Sequence, residues 1–200
     1  IPKNPRWQNY VDIWTQIPLL TFVKNTVKIT VVVTLLQLFT SSFAAYAFAK
    51  MQFKGKNVLF LGYIATIAVP WQAYMVPQFM MMSSWHLNNT HLAIMCLQAF
   101  SAFGVFLMKQ FYEGVPSELC EAARIDGLSE YGIWWHIMLP LSLPALSTLT
   151  IFTFVNTWND FLGPLIYLTK TELKTIQIGL RMFITQYSAE YGLIMAASVV

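Results

Sequence analysis

Between Lys56 and Lys109 the chain runs through 52 residues without an Asp, Glu, Lys or Arg. No other feature limits the fold so strongly. An ordinary soluble domain carries about 25% charged residues, whereas here charged residues make up 10% and apolar ones 56% of the chain. Such a sequence cannot cover its core with a polar surface. Disorder needs low hydrophobicity and high charge, so it is excluded as well. A lipid bilayer resolves the conflict, because an uncharged helix of about 20 residues crosses the roughly 30 Å hydrocarbon layer at about 1.5 Å per residue.

Two further uncharged runs, 21 residues between Lys28 and Lys50 and 29 between Glu130 and Asp160, extend the pattern. The long run is interrupted by the polar patch Ser83-Ser84-Trp85-His86-Leu87-Asn88-Asn89-Thr90-His91. The reading is an all-α, polytopic transmembrane helical bundle. Four complete spans are expected, over residues 19–50, 58–82, 92–111 and 145–167, with a fifth opening near Tyr191. Residues 1–18 read as a segment outside the membrane. They lack the basic start, apolar middle and small-residue cleavage site of a signal peptide. Both ends look cut, as in a piece of a longer chain.

Alternation puts 50–56 and 109–131 on one side of the membrane, and the N-terminal segment, 83–91 and 168–190 on the other. Lys and Arg number five on the first side and seven on the second. As a count, the positive-inside rule leaves the orientation open. The net charge of +3 is not gathered into a stripe that neutralises phosphates, which argues against nucleic acid. Cys96 and Cys120 read as free thiols, the ten methionines as packing, and His86, His91 and His136 lack an acid or Cys at ligand spacing. Ser41, Ala45 and Ala49 form a small-residue ladder that admits a close helix neighbour, and Pro70 and Pro77 are expected to bend the second span.

The charge-starved chain places four of its nine acids between Glu113 and Asp126. There, Ser117 is placed to cap a short helix with Glu118 and Glu121 in its first turn and Gly127 as its stop. Leu119, Ala122, Ala123 and Asp126 are expected to share one low face fitted to a partner's groove. A helix of about ten residues does not persist alone in water, so something must hold it. Trp134-Trp135 suits a membrane interface, and Pro140 and Pro144 are expected to break an interfacial segment away from the next span.

The string Glu121-Ala122-Ala123-x-x-Asp126-Gly127, then nine residues, then Ile137-x-Leu139-Pro140 resembles the EAA loop of the membrane subunits of binding-protein-dependent ABC importers. The stretch Phe154-Val155-Asn156-Thr157-Trp158-Asn159-Asp160-Phe161-Leu162-Gly163-Pro164-Leu165 is similar to the carbohydrate-uptake branch, the maltose-type permeases. The resemblance implies a type-1 permease domain over 19–200 with about six spans in the intact protein, one span preceding residue 1, and a cytoplasmic loop 112–132. It implies that Glu121, Ala122, Ala123, Asp126, Gly127, Ile137, Leu139 and Pro140 couple the chain to an ATPase. The partners it implies are two ATP-binding subunits that use the ATP, a second homologous permease and an extracytoplasmic solute-binding protein, in a bacterial or archaeal cell membrane. No cofactor is expected on this chain, which lacks a GxxxxGK[ST] loop and is expected not to be an enzyme.

Asn156, Trp158, Asn159 and Asp160 fall in the outward half of the fourth expected span. A charged residue inside a span points to function by default, so these four are candidates for the pathway or its gate. The other reading makes Asp160 and Asn159 local caps for backbone loosened by Gly163-Pro164. The 168–190 loop reads equally as a partner-facing or a solvated loop. A sugar importer permease is the leading function, and an ion-coupled secondary transporter the alternative.

Overall fold

The computed structural model describes residues 7–186 and 191–199, and among these the regular structure is entirely helical. Thirteen α-helical segments follow in chain order: α1 (Asn9–Gln16), α2 (Leu19–Lys50), α3 (Lys56–Ala65), α4 (Met75–Ser84), α5 (His91–Gln98), α6 (Ala102–Glu113), α7 (Glu118–Ile125), α8 (Glu130–Ile133), α9 (Leu139–Leu141), α10 (Leu143–Trp158), α11 (Leu162–Tyr167), α12 (Ile176–Gln186) and α13 (Tyr191–Val199). A π-helical stretch, Trp134–Met138, joins α8 to α9.

Two described helices are long and apolar enough to cross a membrane: Leu19–Lys50 and His91–Glu113. A third is added if Glu130–Leu141 and Leu143–Trp158, bent by 80° at Ser142, count together. The first and third expected spans therefore stand, and the others are corrected. The second is broken rather than bent. Helix α3 runs into a 3₁₀ turn, Val69 and Pro70 are extended, and a second 3₁₀ turn leads to α4. Pro70 makes this break. Pro77 lies in the first turn of α4, where a missing N–H costs nothing, and causes no second bend. The fourth expected span stops at Trp158 instead of Tyr167. Its start is broken at Ser142, as Pro140 and Pro144 predict.

The chain divides into two compact units. One comprises 31–78 and 96–155, and its core gathers Ala45, Tyr46, Met108, Tyr112, Cys120, Ala123, Trp134, Met138 and Leu149. Here Ser41, Ala45 and Gly104 are buried, and a methyl group on Gly104 would collide with the Ser41 hydroxyl. The small-residue ladder thus brings α6 against α2. The break between α5 and α6 frees carbonyls that lipid cannot satisfy. Gln37 donates to the Gln98 carbonyl at 2.7 Å and Thr40 to that of Ala99 at 2.8 Å. The Gln37 side-chain Oε1 in turn accepts from the Thr153 hydroxyl at 2.9 Å.

The other unit comprises 1–30, 79–95 and 156–200. Its described core packs Ile13 of α1, Ile17, Leu19, Phe22 and Ile176 with Leu193, Ala196 and Ala197 of α13. Within the 1–18 segment expected to lie outside the membrane, Asn9–Gln16 therefore forms a helix seated on this core through Ile13.

Candidate coupling site

Helix α7 carries the EAA string. It has eight residues, with Glu118 and Glu121 in its first turn and Arg124 in its last, both complementary to the helix dipole. Gly127 ends it, as expected. With φ at +85°, Gly127 adopts the left-handed conformation. Its N–H reaches the Arg124 carbonyl at 3.0 Å, while the Leu128 N–H reaches that of Ala123 at 3.0 Å. These two bonds form a Schellman closure. The N-terminal expectation is corrected: Ser117 has helical backbone angles and makes no side-chain cap. Its hydroxyl instead accepts from Lys50 Nζ at 3.4 Å, and the same ammonium donates to the Val115 carbonyl.

The expected shared face is also corrected. Ala123 is 4% exposed and Cys120 1%, and both look into the chain's own core beside Trp134 and Met138. Cys120 Sγ lies 3.7 Å from Met138 Sδ, and burial pushes this thiol above its ordinary range. Leu119, Glu121, Ala122, Asp126 and Gly127 are exposed, and Ile125 is 87% exposed. The eight-residue helix thus buries only Cys120 and Ala123 and exposes Leu119 and Ile125.

Three side chains unnoticed in the sequence hold the helix in place. Arg124 donates through Nε to Glu130 Oε1 at 2.6 Å and through Nη2 to Oε2 at 3.1 Å. Tyr46, near the end of α2, donates its hydroxyl to the same Oε2. The Glu130 carboxyl is held below the usual carboxylate range, first by Arg124 and then by the Tyr46 hydroxyl, and Arg124 is raised in turn. The residues lie up to 84 positions apart, so no local pattern announces them.

From Glu130 the chain leads directly into α10. Ser129 caps α8 by accepting from the Gly132 N–H at 3.2 Å. Trp134 is fully buried, not interfacial as expected, and its ring meets Phe39, Phe43, Tyr131 and Trp135. Trp135, 47% exposed, fits the interfacial expectation better. Ile137 and Leu139 pack partly against the core that holds α7, while Pro140 is exposed just before the bend. Of the two motifs, Ala123, Ile137 and Leu139 are thus brought to one core, while Glu121, Ala122, Asp126, Gly127 and Pro140 remain outside it.

Asn156, Trp158, Asn159 and Asp160 belong to the other unit. Asn156 is exposed at the end of α10 and Trp158 is its last residue. Asp160 lies in the turn before α11, where Oδ1 accepts from the Gly163 N–H at 3.2 Å. That bond is the capping geometry. Any side chain on Gly163 would strike the Asp160 carboxylate. Asn159 Oδ1 accepts from Gln177 at 3.3 Å. The Asp160 bond is of the backbone kind the local-cap reading asks for, whereas the Asn159 bond is to a side chain.

The described part of the 168–190 loop is neither loose nor solvated throughout. Asn89 Oδ1 accepts from the Thr169 and Lys170 N–H groups at 2.7 and 3.2 Å, and His91 Nε2 donates to the Leu173 carbonyl at 3.0 Å. Asn25 donates to the carbonyls of Glu172 and Lys174, and Thr26 accepts from the Ile176 N–H. The polar residues 25, 26, 89 and 91 were visible in the sequence, but nothing there named their common target.

All-helical among its described residues, with apolar helices long enough to cross a membrane, the chain has the architecture of a polytopic membrane protein. The family profile described as "Binding-protein-dependent transport system inner membrane component" matches residues 37–200, and the chain belongs to that family. It is 38% identical over 199 residues to the arabinooligosaccharides transport system permease protein AraQ of Halalkalibacterium halodurans, covering 99% of this chain and 71% of that one. It is 34% identical over 193 residues to the lactose transport system permease protein LacG of Rhizobium radiobacter, covering 96% and 71%. A chain from the crystal structure of a bacterial ABC transporter involved in the import of the acidic polysaccharide alginate matches with a TM-score of 0.89 at 25% identity, covering 100% of this chain and 76% of its own. These relatives are membrane transport permeases rather than enzymes, and they do not favour the ion-coupled alternative.

Proposed function

We propose that this chain is the permease subunit of an ATP-driven importer of oligosaccharides, and that α7 couples it to the ATPase. In this reading two ATP-binding subunits, a second homologous permease and a solute-binding protein complete the complex. The ATP is spent by the partners. The exposed face of α7, with Leu119, Ala122 and Ile125 beside Glu118, Glu121 and Asp126, docks into the ATP-binding subunit on the cytoplasmic side. Ala123 seats the helix from within, and Gly127 ends it in register. Ile137, Leu139 and Pro140 carry its displacement to the bend before α10. The observation that carries the reading is the exposed apolar side of α7 above a buried and hydrogen-bonded inner side. The carbohydrate assignment rests on the names of the relatives, which transport arabinooligosaccharides and lactose.

The test is ATP hydrolysis and sugar uptake by the reconstituted complex, with and without its solute-binding protein. Ala122→Trp adds bulk only on the outer side, so the subunit should insert and fold normally. Uptake and stimulated hydrolysis should fall at least tenfold. Normal uptake by this variant would remove the outer face of α7 from the coupling route.

A further inference from the structure

Ile137, Leu139 and Pro140 give α7 a path to α10, but α2 touches the same segment along its whole length. Phe39, Phe43, Tyr46 and Lys50 recur on α2 at i, i+4, i+7 and i+11. That spacing puts all four on one face, over about 16 Å of helix. The face meets the segment 115–134 from end to end. Phe39 and Phe43 make edge-to-face contacts with Trp134, ring centroids 5.5 and 5.2 Å apart, and Phe43 also meets Tyr131 at 6.5 Å. Tyr46, 2% exposed, donates to the Glu130 carboxylate that holds Arg124 of α7. Lys50, half-buried, donates to the Val115 carbonyl and to Ser117 Oγ, just ahead of α7. On another side of α2, Ser41 lies so close to Gly104 of α6 that a methyl group there would collide with it. Between α6 and the coupling segment α2 has no slack.

The two kinds of contact on this face act differently under load. Packed rings transmit a push, but a gap of about 0.5–1 Å already forfeits roughly a quarter to a half of a dispersion contact. Charge-assisted hydrogen bonds, roughly twice as strong as neutral ones, also resist being drawn apart. Tyr46 and Lys50 supply bonds of that kind, one near each end of α7. Lys50 brings a cation to the positive end of α7, where that helix gains nothing from it. The bonds serve the joint between the two helices rather than α7 alone.

From this we infer that Tyr46 and Lys50 are positioning residues of coupling: through them α7 draws the 46–50 end of α2 with it, so that α2 and α10 move together. The inference adds a second route to the one through α10 and rests on the same docking of α7.

The test uses the reconstituted complex in a Cys96→Ser background, with the buried Cys120 left in place. A single nitroxide is attached at Leu35→Cys on α2 or at Ile151→Cys on α10, both exposed positions. Its accessibility to oxygen is compared with ADP bound and after trapping with ATP and vanadate. Without further substitution, both positions should change at least twofold between the two states. Tyr46→Phe combined with Lys50→Met keeps the ring and the aliphatic stem and removes only the polar bonds. It should abolish the change at 35 and leave the change at 151 in place. Lys50→Arg, which keeps the cation, should preserve both. If the double variant fails to assemble, Lys50→Met alone should at least halve the change at 35. A change at 35 that survives loss of the bonds would overturn the inference, as would one that vanishes only together with the change at 151. Silence at 35 alone, before any substitution of Tyr46 or Lys50, would overturn it too and leave the route through α10 standing. Silence at both positions would strike the proposed coupling itself, and the inference with it.

Discussion

At the scale of single residues, the two carboxylates Asp160 and Glu130 have different partners and different expected sensitivities. Asp160 accepts a backbone N–H, a role an amide oxygen can fill. Asp160→Asn should therefore leave basal ATP turnover and thermal stability near wild type, whereas Asp160→Leu should cost about 1 kcal/mol as a lost cap. Raised basal turnover in the Asn variant would favour the gate reading over the cap. Glu130 is tied to Arg124 and Tyr46 and its carboxyl is lowered. A lowered acid contributes stability that is present above its unfolded value, about 4.3, and lost as pH falls through the folded value. Arg124, being raised, adds no loss at alkaline pH within the working range. Hydrogen exchange of residues 118–128 should therefore be flat in stability terms from pH 8 to pH 5 and deprotect only below about pH 4. Loosening between pH 7 and 6 would contradict the clamp. Ala123→Trp, on the inner side of α7, should destabilise the subunit itself by about 1–3 kcal/mol through overpacking, seen as a lowered melting midpoint in detergent.

At the scale of elements, α7 shows what local sequence encodes and what it leaves to tertiary structure. Its existence, its acidic start and its stop at Gly127 were legible, because dipole complementarity and a left-handed C-terminal residue are written in adjacent positions. Which side faces inward was not legible, since Ala122 and Ala123 are the same residue on different sides and only the core decides between them. The Arg124–Glu130–Tyr46 clamp was hidden for the same reason. The broken second apolar run was half legible: proline announces an interruption, but only its position relative to a helix start decides whether it breaks, as Pro70 does, or is absorbed, as Pro77 is. The end of α10 at Trp158 was missed because hydropathy continues past a break that backbone geometry makes. At Gly127 the cost of a side chain is purely conformational, since nothing lies within 4 Å of the place a Cβ would take. Gly127→Ala should cost about 1–2 kcal/mol and fray the last turn of α7, with Gly127→Asn milder. Unchanged exchange protection at Ala123 and Arg124 in the Ala variant would contradict the Schellman closure.

At the scale of the whole molecule, the segments that alternation assigned to one side are joined in pairs. Lys50 bonds to the chain at Val115 and Ser117. Asn89 and His91 of the 83–91 turn both bond to the segment 169–174. The pairing follows from counting apolar runs, and the direction belongs to the proposed coupling role. The proposed account then makes one physical demand, that the outer face of α7 touches the ATP-binding subunit and the pinned 169–174 segment does not. The most direct measurement places a photoreactive benzophenone side chain at Ile125 in one preparation of the complex and at Thr171 in another. The account predicts a crosslink from position 125 to the ATP-binding subunit and none from 171. A crosslink to that subunit from 171, or none from 125 in an assembled and transporting complex, would contradict it.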